Sequence, residues 1–153
     1  MSEQAYASEE FQLVAFKLNR EEYGVSILYV QEIKRLTDIT RVPYTPDFIK
    51  GVINLRGSVL PVIDLKKRLG LAEESYSENT RIIIVKIEDI SIGMIVDAVT
   101  EVLEINPDHI EAPGAVVDGN GENNFISGVG NVDDRLIFML NLNEIIGLNG
   151  ELK

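Results

Sequence analysis

The chain has 153 residues, 45% of them hydrophobic and 25% charged, which is typical of one globular domain and excludes an intrinsically disordered protein. Its formal charge of −11, with basic residues only in short groups flanked by acids, disfavours a general nucleic-acid-binding function. The absence of cysteine excludes disulfides and thiolate chemistry, and no apolar run approaches the ~18 residues of a membrane span, so direct membrane insertion is not expected.

The first part of the chain predicts β-strands. Residues 1–9 are polar and acidic and are predicted to form a flexible arm ahead of a single domain at 10–150. The segment FQLVAFKLN, a turn at 19–22 and the segment YGVSIL are rich in β-branched and aromatic residues, which predicts a hairpin. The following SILYVQEIKRL is interpreted as strand, although its apolar spacing also fits the 3.6-residue period of a helix.

A second hairpin and a short helix follow. The segment VINLRGSVLPVIDL predicts strand, turn and strand, with Arg56, Gly57 and Ser58 at the tip. In the helix that comes next, Asp64 is expected to cap the N-terminus and Gly70 to end the last turn.

The rest of the chain repeats this order. Residues 48–71 match residues 125–148 at an offset of 77 with eight identities, and residues 13–33 match residues 82–102 at an offset of 69. The additional residues of the second copy fall in AVVDGNGENN, which predicts a lengthened loop. A period near seventy that occurs twice is too long and too rare for a solenoid, whose units have roughly 20–50 residues.

These matches predict two similar halves, at about 11–75 and 80–148. Each half alone would be marginally stable, so the two are expected to share a hydrophobic core. Gly24 and Gly93 occupy equivalent strand positions, which predicts a barrel corner or a bulge in both halves. Short strands, few helices and frequent turn signals together predict an all-β protein of paired small barrels.

The chain offers few groups for catalysis or metal binding. His109 is the only histidine, and without cysteine it cannot complete an ordinary zinc site or a nucleophilic triad. Because it follows Pro107 and Asp108, it is expected in a solvated turn. The adjacent acids Asp133 and Asp134 are likewise interpreted as solvated. Neither enzymatic activity nor a cofactor is therefore predicted.

The mismatches between the two copies indicate where function lies. NLRG at 54–57 aligns with NVDD at 131–134, so one tip presents Arg56 and the other presents two acids. An arginine fork suits the carboxylates or carbonyls of a partner. Arg56 could equally stabilise its own hairpin, for example by pairing with Glu32.

Two further segments could be core or surface. The apolar run from Ile39 to Pro43 lies in a proline-bounded connection, where it would either plug one end of a barrel or form an exposed contact patch. Val99 and Val102 continue a strand of the second half and are interpreted as core in preference to interface.

Four segments form a specific combination. They are VQEI at 30–33, TRVPYTPDFIKGVINLRGSVLPVIDL at 40–65, IGMIVDAVTEVL at 92–103, and FISGVGNVDDRLIFMLNLNEII near the end. This combination resembles the CheW family of chemotaxis coupling proteins over nearly the whole chain. The resemblance implies two SH3-like five-stranded β-barrels around a common core. It also implies a non-enzymatic cytoplasmic adaptor that links the tips of chemoreceptors, in membrane receptor arrays, to the histidine kinase CheA.

The resemblance also implies roles for individual residues. Glu32 and Arg56 match the pair associated in the family with receptor coupling. Neighbouring positions of the receptor groove match Val30, Gly57, Val99 and Val102. The segment associated with docking to the regulatory domain of the kinase matches Ile39 and Thr40.

Other interpretations compete with a free-standing adaptor. Within the family, the chain could be the regulatory domain of the kinase or the adaptor part of a CheV-like protein, but no receiver-like sequence follows the last repeat. A small β-barrel that binds single-stranded nucleic acid is disfavoured because an aromatic platform and a basic groove are missing. An enzyme of unknown type is disfavoured because the chain lacks a suitable base near neutral pH.

Overall fold

The structure is a computed structural model that describes residues 11–72, 75–112 and 125–147. The predicted arm at 1–9 and the predicted long loop at 115–124 lie outside the described residues. Over the described part, the chain forms β-strands with a few short helices, which confirms the all-β prediction. None of the described helices is long and apolar enough to cross a lipid bilayer.

Two compact units divide the chain. Unit 1 lies within Met1–Leu28 and Thr100–Lys153, and unit 2 is Tyr29–Val99. Each unit is built on one β-sheet, so the fold is that of two β-barrel-like subdomains. The boundaries of the units do not coincide with the sequence halves at 11–75 and 80–148.

Unit 1 contains a six-stranded sheet. In spatial order its strands are β8 (Ala98–Glu104), β1 (Gln12–Leu18), β2 (Glu21–Ser26), β11 (Arg135–Leu140), β10 (Ile126–Val132) and β9 (Ile110–Glu111). The β1–β2 and β10–β11 pairs are antiparallel hairpins, and β11 joins β2 in parallel. The two-residue strand β9 pairs with β10 and adds a short sixth strand to the five expected.

Unit 2 contains a five-stranded sheet. In spatial order its strands are β3 (Val30–Arg35), β6 (Arg81–Ile87), β7 (Ile90–Val96), β5 (Ser58–Asp64) and β4 (Ile49–Leu55). The β6–β7 and β4–β5 pairs are antiparallel hairpins, and β5 joins β7 in parallel.

The two sheets share one plan, and the sequence repeat explains it. In unit 1, Gly24 of β2 pairs with Met139 of β11, and in unit 2, Gly93 of β7 pairs with Val62 of β5. These two pairs are equivalent under the offsets of 69 and 77. Each unit therefore takes one hairpin from each sequence copy: β1–β2 meets β10–β11, and β6–β7 meets β4–β5.

Apolar side chains on strands and their connections form a buried cluster in each unit, because successive strand residues point to opposite faces of a sheet. The cluster of unit 2 consists of Ile53, Leu60, Val62, Ile82, Ile84 and Ile95. The cluster of unit 1 consists of Leu13, Ile105 and Ile137.

The predicted helix and the predicted strand at 30–35 are present, and the two predicted turns are shorter than expected because Glu21, Glu22 and Ser58 belong to strands. Helix α1 (Leu65–Leu69) begins where the Asp64 carboxylate accepts a hydrogen bond from the Lys67 amide at 3.3 Å, and it ends at Gly70 in the left-handed conformation. Its counterpart in the second copy is helix α2 (Leu142–Ile146). The ambiguous SILYVQEIKRL forms a single 3-10 turn followed by β3, so the strand interpretation is confirmed.

The bulge predicted at Gly24 and Gly93 does not occur. The β1–β2 and β6–β7 ladders run through both glycines without a shift in register. A Cβ atom on Gly24 would lie 3.2 Å from Cγ2 of Ile137, and one on Gly93 would lie 2.8 Å from Cγ2 of Ile82. Both glycines therefore lie where neighbouring side chains pack closely, most tightly at Gly93, and the regular register shows no bulge at either position.

Candidate protein-binding site

The β4–β5 hairpin of unit 2 presents an arginine at its tip. Leu55 pairs with Ser58, so Arg56 and Gly57 form a two-residue turn, with φ angles of 52° and 86°. The Asn54 side chain accepts a hydrogen bond from the Gly57 amide at 3.1 Å. Two positive φ angles define a type I′ turn, which favours Asn or Asp first, whereas other residues cost roughly 1–2 kcal/mol there. Turn chemistry therefore does not explain the arginine.

Arg56 forms an ion pair with Glu32 and still faces solvent. Its Nη2 atom lies 2.7 Å from Oε1 of Glu32, and the two side chains are 73% and 27% exposed. The pair joins the β4–β5 turn to β3, which lies at the opposite end of the strand order of the sheet. A guanidinium has five N–H donors, so most of them remain available to a partner. Both interpretations of Arg56, the internal pair and the surface contact, are compatible with this geometry.

In unit 1, the arginine next to the equivalent turn has all its nitrogens in ion pairs. Arg135, the first residue of β11, donates to both oxygens of Glu22 at 2.9 and 2.7 Å, and its Nη1 atom lies 2.8 Å from Glu101. Glu101 is the repeat equivalent of Glu32. The hydrogen bond from Arg135 lowers the pKa of the Glu22 carboxyl below its ordinary value. All three guanidinium nitrogens of Arg135 are thus engaged, whereas Arg56 is held by one carboxylate oxygen.

The other residues assigned by resemblance to receptor binding lie on β3, β4–β5 and β8. Val30 is half-buried on β3, two residues from Glu32, and Gly57 is exposed next to Arg56. Val99 is half-buried on β8, but Val102 on the same strand is 52% exposed. The interpretation of Val102 as core is therefore wrong, because its side chain points to solvent.

The Ile39–Thr40 segment is fastened along the edge of β4. The Thr40 amide donates to the Val52 carbonyl at 2.9 Å and the Val52 amide donates to the Thr40 carbonyl at 2.9 Å. Ile39 packs against the buried cluster of unit 2, while Thr40 is exposed. Ile39 therefore covers the core, whereas the rest of the run to Pro43 is exposed, as is the Tyr44 that follows it.

Gly51 is a residue that the sequence interpretation missed. A Cβ atom here would overlap the carbonyl oxygen of Thr40 and lie 2.7 Å from Cγ2 of Ile39. Only glycine therefore allows the Ile39–Thr40 segment to lie this close to β4. Its identity with Gly128 in the repeat was the available signal, since Gly128 faces β9 in the same way.

Groups for chemistry are sparse in the part of the chain that the structure describes. His109 is exposed in the 3-10 turn Pro107–His109, which confirms the prediction of a solvated turn residue. Within the three described ranges, no three histidine or carboxylate side chains lie close enough together to hold a metal ion.

Comparisons with known proteins identify the family of the chain. A family model described as CheW-like domain matches residues 12–149. The chain is 36% identical to the chemotaxis protein CheW of Helicobacter pylori over 95% of this chain and 87% of that protein, and 37% identical to the chemotaxis protein CheW of Klebsiella aerogenes over 88% and 81%. Its fold is similar to the crystal structure of the scaffolding protein TtCheW from Thermoanaerobacter tengcongensis, with a TM-score of 0.85, 40% identity and coverage of 94% and 97% of the two chains. The chain therefore belongs to the CheW-like family.

Proposed function

We propose that this protein is a cytoplasmic, non-enzymatic adaptor of chemotaxis that couples the tips of chemoreceptors to the histidine kinase CheA. Family membership supports a chemotaxis role, since the relatives are chemotaxis proteins and the solved relative is a scaffolding protein. The observation that carries the proposal is the exposed Arg56 at the tip of β4–β5, held by Glu32 through a single 2.7 Å contact.

The proposed receptor site centres on Arg56. Its guanidinium is exposed in a protein of net charge −11, so it favours an acidic partner at this point of the surface. Glu32 fixes the direction of the guanidinium and lowers the entropy that is lost when a partner binds. The further proposed contacts with the receptor are Val30, Gly57, Val99 and Val102.

The proposed kinase site is the Ile39–Thr40 segment. The bridge to Val52 holds its backbone on β4, so the exposed Thr40 side chain has a fixed position. We propose that this segment binds the CheW-like regulatory domain of the kinase, one barrel against a homologous barrel.

The proposed mechanism is mechanical coupling through two sites on one rigid sheet. The β4–β5 hairpin carries Arg56 at its tip and contacts Thr40 at its edge. A receptor and a kinase bound at these places would be held at a fixed relative position. Each contact is expected to be small and transient, and an array gains avidity from many of them.

The receptor site is tested by Arg56→Glu in a pull-down with a receptor tip. We expect binding to fall by at least about tenfold, since a partner carboxylate would meet a like charge. The matched control is Asp133→Lys, a charge change of equal size at the equivalent turn of unit 1, which should leave receptor binding unchanged. Full receptor binding by the Arg56→Glu protein would refute this assignment.

The kinase site is tested by Ile39→Asp and Thr40→Arg with the isolated regulatory domain of CheA. Both variants should lose kinase binding and keep receptor binding. Because Ile39 packs against the core, Ile39→Asp also lowers stability, whereas Thr40 is exposed and its variant keeps the fold. Unchanged kinase binding by a folded Thr40→Arg protein would contradict the assignment.

A further inference from the structure

The outer face of the β4–β5 hairpin carries an exposed apolar side chain beside Arg56. Val59 is 66% exposed and lies directly across from Asn54, which is also exposed. Their neighbours Ile53 and Leu60 pair with each other and are buried. Because side chains alternate along a strand, Val59 and Asn54 point away from the core of unit 2.

We propose that Val59, with Asn54, extends the receptor-binding surface of Arg56 and binds an amphipathic helix that presents a carboxylate and an aliphatic side chain about one turn apart. This inference rests on the proposed receptor function of Arg56. Val59 lies three residues from Arg56, so the two Cα atoms are at most ~10 Å apart. Side chains three or four residues apart on a helix lie on one face, about 5–6 Å from each other. The arginine side chain is long enough to span the difference between this spacing and the distance from Arg56 to Val59.

Two features of this tip can serve one partner together. The first is a solvent-exposed arginine in the left-handed conformation, which the turn itself does not favour. The second is the exposed valine next to it, and the charge of Arg56, not the exposed valine alone, indicates which partner would bind. A partner that offers a carboxylate to the guanidinium and an aliphatic group to the valine satisfies both features at once.

Unit 1 supplies a natural comparison. Leu136 is the repeat equivalent of Val59 and is 52% exposed on β11. The tip beside it carries Asp133 and Asp134 in place of an arginine. An acidic helix would be repelled there, so Leu136 has the apolar character of Val59 without the charge that selects this partner.

The test is the affinity of the full chain for a receptor cytoplasmic tip, measured with Val59→Gln, Val59→Thr and the control Leu136→Gln, none of which changes the net charge. We expect Val59→Gln to raise the dissociation constant by about tenfold and Val59→Thr, which keeps the shape, by about threefold. Leu136→Gln should change it by less than about twofold. Binding to the kinase regulatory domain should be unchanged in all three proteins.

Parallel measurement of Arg56→Glu separates the possible outcomes. If Val59→Gln binds the receptor normally while Arg56→Glu does not, the inference about Val59 is wrong and the proposed function stands. If both variants bind normally, the proposed receptor site itself fails. If Leu136→Gln weakens binding as much as Val59→Gln, the effect does not come from contact at Val59, which also overturns the inference.

Discussion

Replacing Gly51 with alanine should release the Ile39–Thr40 segment from β4. The added Cβ atom would overlap the Thr40 carbonyl oxygen, and it would lie 2.7 Å from Cγ2 of Ile39. The bridge between Thr40 and Val52, two hydrogen bonds of 2.9 Å, therefore has to open. Each such bond contributes about 0.5–1.5 kcal/mol, so the free energy of unfolding should fall by about 1–3 kcal/mol.

Hydrogen exchange measures this opening directly. The amides of Thr40 and Val52 are the two donors of the bridge, so both should lose protection in Gly51→Ala. Amides in the centre of β6, such as that of Ile84, should stay protected, because the ladder with β7 is untouched. Urea denaturation gives the change in stability. If the Ile39–Thr40 segment binds the kinase, its affinity should fall while receptor binding persists.

Gly128→Ala is the matched control in unit 1. Its Cβ atom would lie 3.1 Å from Cγ2 of Ile110 and 3.3 Å from the Glu111 carbonyl oxygen, distances that a small shift can relieve. We expect a loss below about 1 kcal/mol. Unchanged protection of Thr40 in Gly51→Ala, or equal losses of stability in the two variants, would refute the reasoning.

Three further changes test charge and packing. Glu22→Gln should destabilise the protein at neutral pH, because Arg135 lowers the pKa of Glu22 below its ordinary 4.5. The stabilisation is present above 4.5 and is lost as the pH falls through the folded-state pKa of Glu22. Urea titrations of both proteins at several pH values measure this loss. Asp97→Ala should lower the free energy of unfolding by about 3 kcal/mol in urea denaturation, since it removes a carboxylate 2.9 Å from the buried ammonium of Lys66. Lys66→Met, which removes the charge itself, should lower it by less. Gly93→Ala should cost about 1–3 kcal/mol in the same assay, since its Cβ would lie 2.8 Å from a buried isoleucine of β6.

Each of these changes has a contrary outcome. A Glu22→Gln effect that stays constant down to acidic pH would show that the ion pair is not its source. Equal losses for Asp97→Ala and Lys66→Met would mean that removing this carboxylate from the Lys66 ammonium carries no additional penalty. Gly93→Ala should also be worse than Gly24→Ala, whose nearest neighbour would lie at 3.2 Å, and the reverse order would contradict the packing explanation.

Much of the local structure was predictable because short-range chemistry decides it. Asp64 and Gly70 bound a helix through a side-chain cap and a left-handed residue, and both signals lie within a few positions of the helix they define. The hairpin turns followed from strand alternation interrupted by turn residues. The bulge alternative at Gly24 and Gly93 was wrong, because a glycine that forms a bulge and one that makes room for a neighbour look the same in sequence.

Some residues of the candidate site could likewise be predicted from the sequence, and others could not. Arg56 was identified because the repeat places acids at the equivalent tip, so a comparison within the chain was enough. Val102 was misplaced because its exposure depends on what lies against β8, and strand periodicity alone does not fix that. Gly51 was missed because its role exists only once the Ile39–Thr40 segment folds back onto β4.

Most strands, the helix caps, the duplication and the asymmetry at Arg56 could be predicted from the sequence, since each depends on neighbours along the chain or on comparison of the two copies. The exchange of hairpins between the copies, in which β4–β5 pairs with β6–β7 in unit 2, became visible only in the folded chain. Backbone hydrogen bonds are alike for every strand edge, and two related hairpins offer similar edges to each other. Which hairpins pair with each other is decided by the packing of side chains far apart in sequence. The same packing brings Glu32 to Arg56.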